Sequence, residues 1–117
     1  MEEKIRILKV EPGKEPEATE IDNTLRAMQE TVGGYIQLVP FERDACIVCN
    51  EKGKLIGLEA NRRFGSDILV GTFFIAGEDG SEDFCSLNGE QIENYTQQFK
   101  EPLIGQSENI RFGFLPL

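Results

Sequence analysis

The apolar positions along this chain follow two periods, and the switches between them mark its elements. From Lys4 to Val10 they alternate, with Ile5 and Ile7 on one side and Arg6, Leu8 and Val10 on the other, the period of two expected of a strand. Pro12-Gly13 turns the chain, and Glu15 to Ile21 reads as a second strand that Pro16 holds at a sheet edge. The period then lengthens: Leu25, Met28 and Val32 share one helical stripe, Asp22 or Asn23 can cap its start, and Gly33-Gly34 supplies the left-handed stop. Tyr35 to Phe41 and Ala45 to Asn50 return to strand character on either side of the charged turn Glu42-Arg43-Asp44.

The second half is less regular. Glu51 to Lys54 reads as a turn leading into a short strand, Leu55 to Leu58, and Glu59 to Gly65 as a polar, irregular stretch with room for one helical turn. Ile68 to Ala76 is almost continuously apolar and is the expected central strand, covered on both faces. Gly77 to Asp83 is an acidic loop, Phe84 to Leu87 a brief strand, and Asn88 opens a second helix. In that helix Asn88 and Gln91 have capping-box spacing, Ile92, Tyr95 and Phe99 form the apolar stripe, and Pro102 closes it. Beyond it, Ile110, Phe112 and Phe114 alternate with Arg111 and Gly113, the pattern of a last strand for a sheet edge. The expected fold is α+β, a mainly antiparallel sheet with two helices packed on it. It is one domain over residues 1–117, with its core at about 4–100 and a C-terminal strand or tail at 101–117.

Charge sharpens the picture. Of the net −9, most comes from residues 64–99, which hold seven acids and no base. Such a surface repels phosphate backbones and attracts basic proteins, so the expected partner is a basic protein, with no direct contact to nucleic acid. Glu78, Asp79, Glu82, Asp83, Glu90 and Glu93, in the acidic loop and on the exposed flank of the second helix, are the candidate partner-binding residues. The competing reading is a set of solvated acids that only keep the chain in solution.

Catalytic chemistry finds little to work with. The chain has no histidine, which removes the commonest general base along with the Cys-His and Ser-His-Asp nucleophile systems. Cys46 and Cys49 form a CxxC, but on a strand side chains three apart point to opposite faces, so the pair reads as buried structural cysteines and all three cysteines as reduced thiols, with a zinc site that Cys85 would join across the sheet as a poor alternative. The stretch GEDGSED from Gly77 to Asp83 lacks the ligand order of an EF-hand loop, and a metal-dependent hydrolase built on these acids ranks behind the binding readings. No GxGxxG fingerprint or phosphate loop is present. The reading is therefore not an enzyme, with no cofactor and no metal. With no apolar run of spanning length and no signal peptide, it is placed in the cytoplasm, off membranes.

Five segments carry a resemblance: RILKVEPGK from Arg6, VGGYI from Val32, CNEKGKLIG from Cys49, GTFFIAG from Gly71 and DFCSL from Asp83. Over about residues 4 to 100 the chain resembles a family of small bacterial proteins of unassigned function, found in Gram-positive gut bacteria, their phages and their conjugative elements. That setting implies a role rather than a reaction. By analogy with antirestriction and anti-CRISPR proteins, it implies an accessory protein that blocks a host nucleic-acid-targeting defence, its acids standing where a phosphate backbone would lie. The alternative is a small-ligand or nucleotide-binding domain with its pocket beside Ile68 to Ala76 and the arginines Arg62 and Arg63. A homodimer through the C-terminal segment is a further expectation.

Overall fold

A computed structural model describes residues 2–103; the expected strand Ile110 to Phe114 lies outside the described residues. The elements run β1 (Lys4–Val10), β2 (Glu17–Asp22), α1 (Leu25–Val32), β3 (Ile36–Glu42), β4 (Ala45–Asn50), β5 (Ala60–Phe64), β6 (Asp67–Val70), β7 (Phe73–Glu78), β8 (Phe84–Cys85) and α2 (Gly89–Gln98). The main sheet has the order β2-β1-β7-β4-β3, antiparallel throughout, with β8 added to the end of β7. β5 and β6 form a separate two-stranded sheet. The fold is α+β with a mainly antiparallel sheet, as the sequence predicts.

The alternation in β1 explains the layering. Ile5 and Ile7 enter one core with Val48, Phe74 and Ala76, covered by Met28 and Val32 of α1. Leu8 and Val10 enter the other with Ile47, Phe73 and Ile75, covered by Tyr95 and Phe99 of α2 and by Leu69 of β6. A strand with apolar residues at both parities must be roofed on both sides, so a short helix on one face and a helix plus a hairpin on the other follow directly. On the α2 side the aromatic rings lock the layers together. Phe41 meets Tyr95 edge-on at 4.8 Å, Phe73 meets Phe99 at 5.6 Å, and Phe41 meets Phe64 of β5 at 5.8 Å.

Several expectations change. Thr24, not Asp22 or Asn23, caps α1, its hydroxyl accepting from the Ala27 N–H; Asn23 instead donates its amide to the Glu2 and Phe84 carbonyls. Leu25, placed on the buried stripe, is exposed: of this short helix only Met28 and Val32 are buried. Leu55 to Leu58 is not a strand: the chain winds through consecutive hydrogen-bonded turns, with Ile56 N–H donating to the Lys52 carbonyl at 3.0 Å and Leu58 N–H to Gly53 at 2.9 Å. Glu59 to Gly65, read as irregular, contains strand β5. Gly77 and Glu78, assigned to the loop, complete β7.

The largest change is at Ile68 to Ala76, which is two strands in two sheets rather than one. The break is Gly71, whose φ of +71° is open to glycine and strained for other residues, and whose Cβ, if it had one, would lie 2.6 Å from Leu58 Cδ1. A continuous apolar run conceals the break because both halves are buried: Leu69 of β6 shares a core with Phe73 and Ile75 of β7, while Phe74 and Ala76 enter the other. Gly71→Ala should therefore cost about 1–3 kcal/mol in urea unfolding. Gly89→Ala, at an open position in the first turn of α2, should change stability by less than about 1 kcal/mol and favour the folded state.

Candidate functional site

The acidic residues are gathered by the convergence of three segments at one end of the sheet. The β3–β4 turn places the Asp44 carbonyl against the end of β7, where it accepts the Glu78 N–H at 2.9 Å. The same oxygen accepts Gln91 Nε2 of α2 at 3.2 Å. Gln91 also closes the capping box that starts the helix: its backbone N–H donates to Asn88 Oδ1 at 2.7 Å, and its side-chain oxygen accepts the Asn88 N–H at 2.9 Å. Turn, strand end and helix start are thus fixed to one another by main-chain and amide hydrogen bonds, none of which uses a carboxylate.

The loop from Asp79 to Asp83 is held by its own short bonds. Asp79 Oδ1 accepts the Ser81 N–H at 2.9 Å, which lowers the Asp79 pKa, and the Ser81 hydroxyl donates to the Asp83 carbonyl at 3.1 Å. Glu2 joins from the amino-terminal end, its carboxylate accepting the Ser86 hydroxyl at 2.6 Å and the Ser86 N–H at 3.0 Å, which likewise lowers its pKa.

All six predicted partner-binding residues, Glu78, Asp79, Glu82, Asp83, Glu90 and Glu93, are exposed. They do not form one cluster. Glu78 and Asp79 stand together beside Asp44, and Glu82 and Asp83 belong to the same loop. Glu90 lines a cleft of about 360 Å³ between α2 and the β3–β4 turn, shared with Glu42, Asp44, Gln91, Asn94 and Tyr95. Glu93 is on the same helix but outside the cleft. Glu2, Glu42 and Asp44 escape the sequence reading because they lie far along the chain from the acidic segment. The charged turn Glu42-Arg43-Asp44 is visible in sequence, but only the pairing of Ala45 with Gly77 brings it alongside Glu78.

The negative field of this end is felt by its neighbours. Burial raises the Cys85 thiol pKa, and Asp79, Glu2, Asp44 and Glu78 raise it further. Burial, followed by Glu78, pushes Cys46 up to about 11. Burial and Asp44 raise Tyr95. Among the described residues the ion pairs are Lys4–Asp22, Lys9–Glu11, Lys14–Glu11, Arg26–Glu30 and Lys54–Asp67, so none neutralises the acids of this end.

What such an arrangement does chemically is narrow. Protonated, buried thiols are poor nucleophiles. Cys46 and Cys49 lie on opposite faces of β4, Cys49 packed with Ala45 and Ile47 on the α2 side, and all three cysteines are free. Among the described residues no three His, Cys, Asp or Glu side chains come close enough to hold a metal ion. No helix among them is long and apolar enough to cross a membrane.

The arginines expected beside a ligand pocket do something else. Asn61, Arg62 and Arg63 lie in β5 rather than in a loop, and Arg62 is 1% exposed. Its Nε donates to the Phe99 carbonyl at 2.6 Å, Nη1 to Asn61 Oδ1 at 2.7 Å and to the Asn61 carbonyl at 3.1 Å, and Nη2 to the Lys14 carbonyl. All three guanidinium nitrogens are engaged internally. The charge sits at the carboxyl end of α2, where the helix dipole is negative; burial lowers the Arg62 pKa and Glu101 opposes that shift. A cleft does lie beside Ile68 to Val70, but neither Arg62 nor Arg63 lines it. Arg62→Lys replaces donors spread over three nitrogens with three donors on one, too few for the four acceptors that Arg62 serves, the Phe99, Asn61 and Lys14 carbonyls and Asn61 Oδ1. It should lower stability by about 2–4 kcal/mol in denaturant unfolding, whereas Arg63→Lys, on an exposed side chain, should stay within about 0.5 kcal/mol.

Residues 5–100 match the sequence family described as a domain of unknown function (DUF3846). No curated protein and no solved structure matches the chain.

Proposed function

We propose that this chain, which belongs to the DUF3846 family, is a non-enzymatic binding protein whose acidic end occupies the phosphate-backbone site of a basic, nucleic-acid-binding partner. The observation that carries this reading is the outward-facing group Glu42, Asp44, Glu78, Asp79 and Glu90, assembled from three chain segments and free of ion pairs among the described residues. Unneutralised carboxylates held by a rigid frame repel one another in the free protein. A cationic partner relieves that repulsion, which favours association and speeds encounter.

The cleft between α2 and the β3–β4 turn extends the reading. Its carboxylates and side-chain amides suit a lysine or arginine side chain, with the Tyr95 ring as part of the lining. On this proposal Glu42 and Asp44 join Glu78, Asp79, Glu82, Asp83 and Glu90 as contact residues, and Glu93 is peripheral. The setting implied by the resemblance, an accessory protein of a phage or conjugative element acting in the cytoplasm of a Gram-positive host against a nucleic-acid-targeting defence, is part of the same proposal.

The test is a lysate of such a host passed over the immobilised chain and over the fourfold variant Glu42→Lys, Asp44→Lys, Glu78→Lys, Asp79→Lys. The native chain should retain a DNA- or RNA-binding protein that salt elutes. In a competition titration it should displace that protein's nucleic acid, and the variant should do so at least about 100-fold less well. Equal retention by the variant, or retention that leaves the partner's nucleic-acid binding unchanged, contradicts the proposal.

A further inference from the structure

Strand β3 is one of the two edges of the main sheet, and among the described residues only β4 pairs with it. The hydrogen-bond pattern shows which of its main-chain groups are left over. The Glu51 N–H donates to the Tyr35 carbonyl at 2.8 Å, and the register sets Ile36 opposite Asn50, so Tyr35 and Glu51 face each other as a hydrogen-bonded pair. In an antiparallel ladder such pairs alternate with pairs that exchange no bond. Gln37 and Val39 therefore bond to Cys49 and Ile47, whereas the main-chain groups of Ile36, Leu38 and Pro40 point to the open side. The next ladder agrees: the Asp44 carbonyl accepts the Glu78 N–H, which turns the even-numbered residues of β4 toward β7 and leaves the odd-numbered ones for β3.

This open edge is short and bounded at both ends. Pro40 has no N–H to offer, and the Gly34 N–H already donates to the Gln29 carbonyl at 3.0 Å. Among the described residues the donors left on the edge are those of Ile36 and Leu38, placed symmetrically about Gln37. The side chains do nothing to guard it. Sheet edges are ordinarily protected by charge, as β2 is at the opposite edge by Glu17, Glu20 and Asp22. Residues 31–41 carry no charge at all, and Tyr35 and Leu38 are 68% and 50% exposed. Leu55, also exposed, adjoins them in the cleft that Gln37 and Val39 line.

We infer that β3 is the docking edge for a second copy of this chain, the two β3 strands running antiparallel about a two-fold axis at Gln37. Ile36 of each copy then exchanges both main-chain bonds with Leu38 of the other, and Gln37 faces Gln37. A strand whose available donors are symmetric about one residue is its own complement, which favours a second copy over an unrelated extended peptide. Charge favours the same geometry. Glu42 begins the acidic end five residues beyond Gln37, so antiparallel pairing holds the two acidic ends about 34 Å apart along the strands. The edge is separate from the acidic end, and neither reading depends on the other.

Sedimentation equilibrium and amide hydrogen exchange on the full chain test the inference. The native chain should associate reversibly to a dimer. The Ile36 and Leu38 amides should exchange more slowly as concentration rises, while those of Gln37 and Val39, bonded to β4, change less. Gln37 is exposed, and Gln37→Lys or Gln37→Glu sets like charges face to face across the axis, so each variant alone should associate about tenfold more weakly. An equimolar mixture of the two should restore association, which a folding defect in either would prevent. A monomer throughout the micromolar to millimolar range overturns the inference, as does association that the Gln37 variants leave unchanged or that their mixture fails to restore. Protection of the Ile36 and Leu38 amides at every concentration, with no change of mass, overturns it as well, because the chain itself would then cover the edge.

Discussion

A buried guanidinium with no carboxylate partner among the described residues joins the layers of this fold. Arg62 reaches the carboxyl end of α2 through Phe99, the β1–β2 turn through Lys14, and its own neighbour Asn61. Asn61 in turn donates its amide to the Val10 carbonyl at 2.9 Å and to Gly71 at 2.7 Å. Two side chains from one strand thus bind the ends of β1 and α2 and the break between β6 and β7. Removing a buried charge from water is costly, and carbonyl oxygens repay it only when they converge from several directions. That requirement fixes where the small β5–β6 sheet sits, and it fixes the carboxyl end of α2.

Fixing the carboxyl end of α2 also positions its amino end. The helix lies over the sheet through Tyr95 and Phe99, and its capping box comes to rest against the β3–β4 turn. The acidic end is therefore an outcome of packing at a distance. Its carboxylates project from a turn, a strand end and a helix start whose backbones are already hydrogen-bonded to each other, so their mutual repulsion cannot be relieved by moving apart. Among the described residues the ion pairs engage other carboxylates, so no paired cation offsets the acids of this end on a chain of net −9.

Much of this was legible in the sequence. The bounds of β1 and β4, the edge position of β2, the Gly33 stop and the Asn88–Gln91 capping box all follow from short-range rules, and the structure agrees at each. The opposite facing of Cys46 and Cys49 follows from strand period alone. What was hidden required knowledge of tertiary neighbours. Asn61-Arg62-Arg63 looks like a polar loop until Arg62 has Phe99 and Lys14 to bond, and Ile68 to Ala76 looks like one strand because burial on both sides of Gly71 erases the polarity change that marks an end. Leu55 to Leu58 carries strand-like residues, yet Gly53 and Gly57 bend it into turns. The site was half legible for the same reason: the acidic loop is local, whereas Glu2, Glu42 and Asp44 arrive from elsewhere.

The central claim is that negative potential is concentrated at one end of the molecule and left unneutralised there. Paramagnetic relaxation enhancement by small cationic and anionic nitroxides, compared amide by amide on the native chain at low salt, measures that potential directly. The account predicts that the cationic probe exceeds the anionic one most strongly at residues 42–44, 78–83 and 88–91, and that the excess falls toward Arg26, Lys52 and Arg63. Equal ratios over the whole surface, or a maximum away from those three segments, would contradict it.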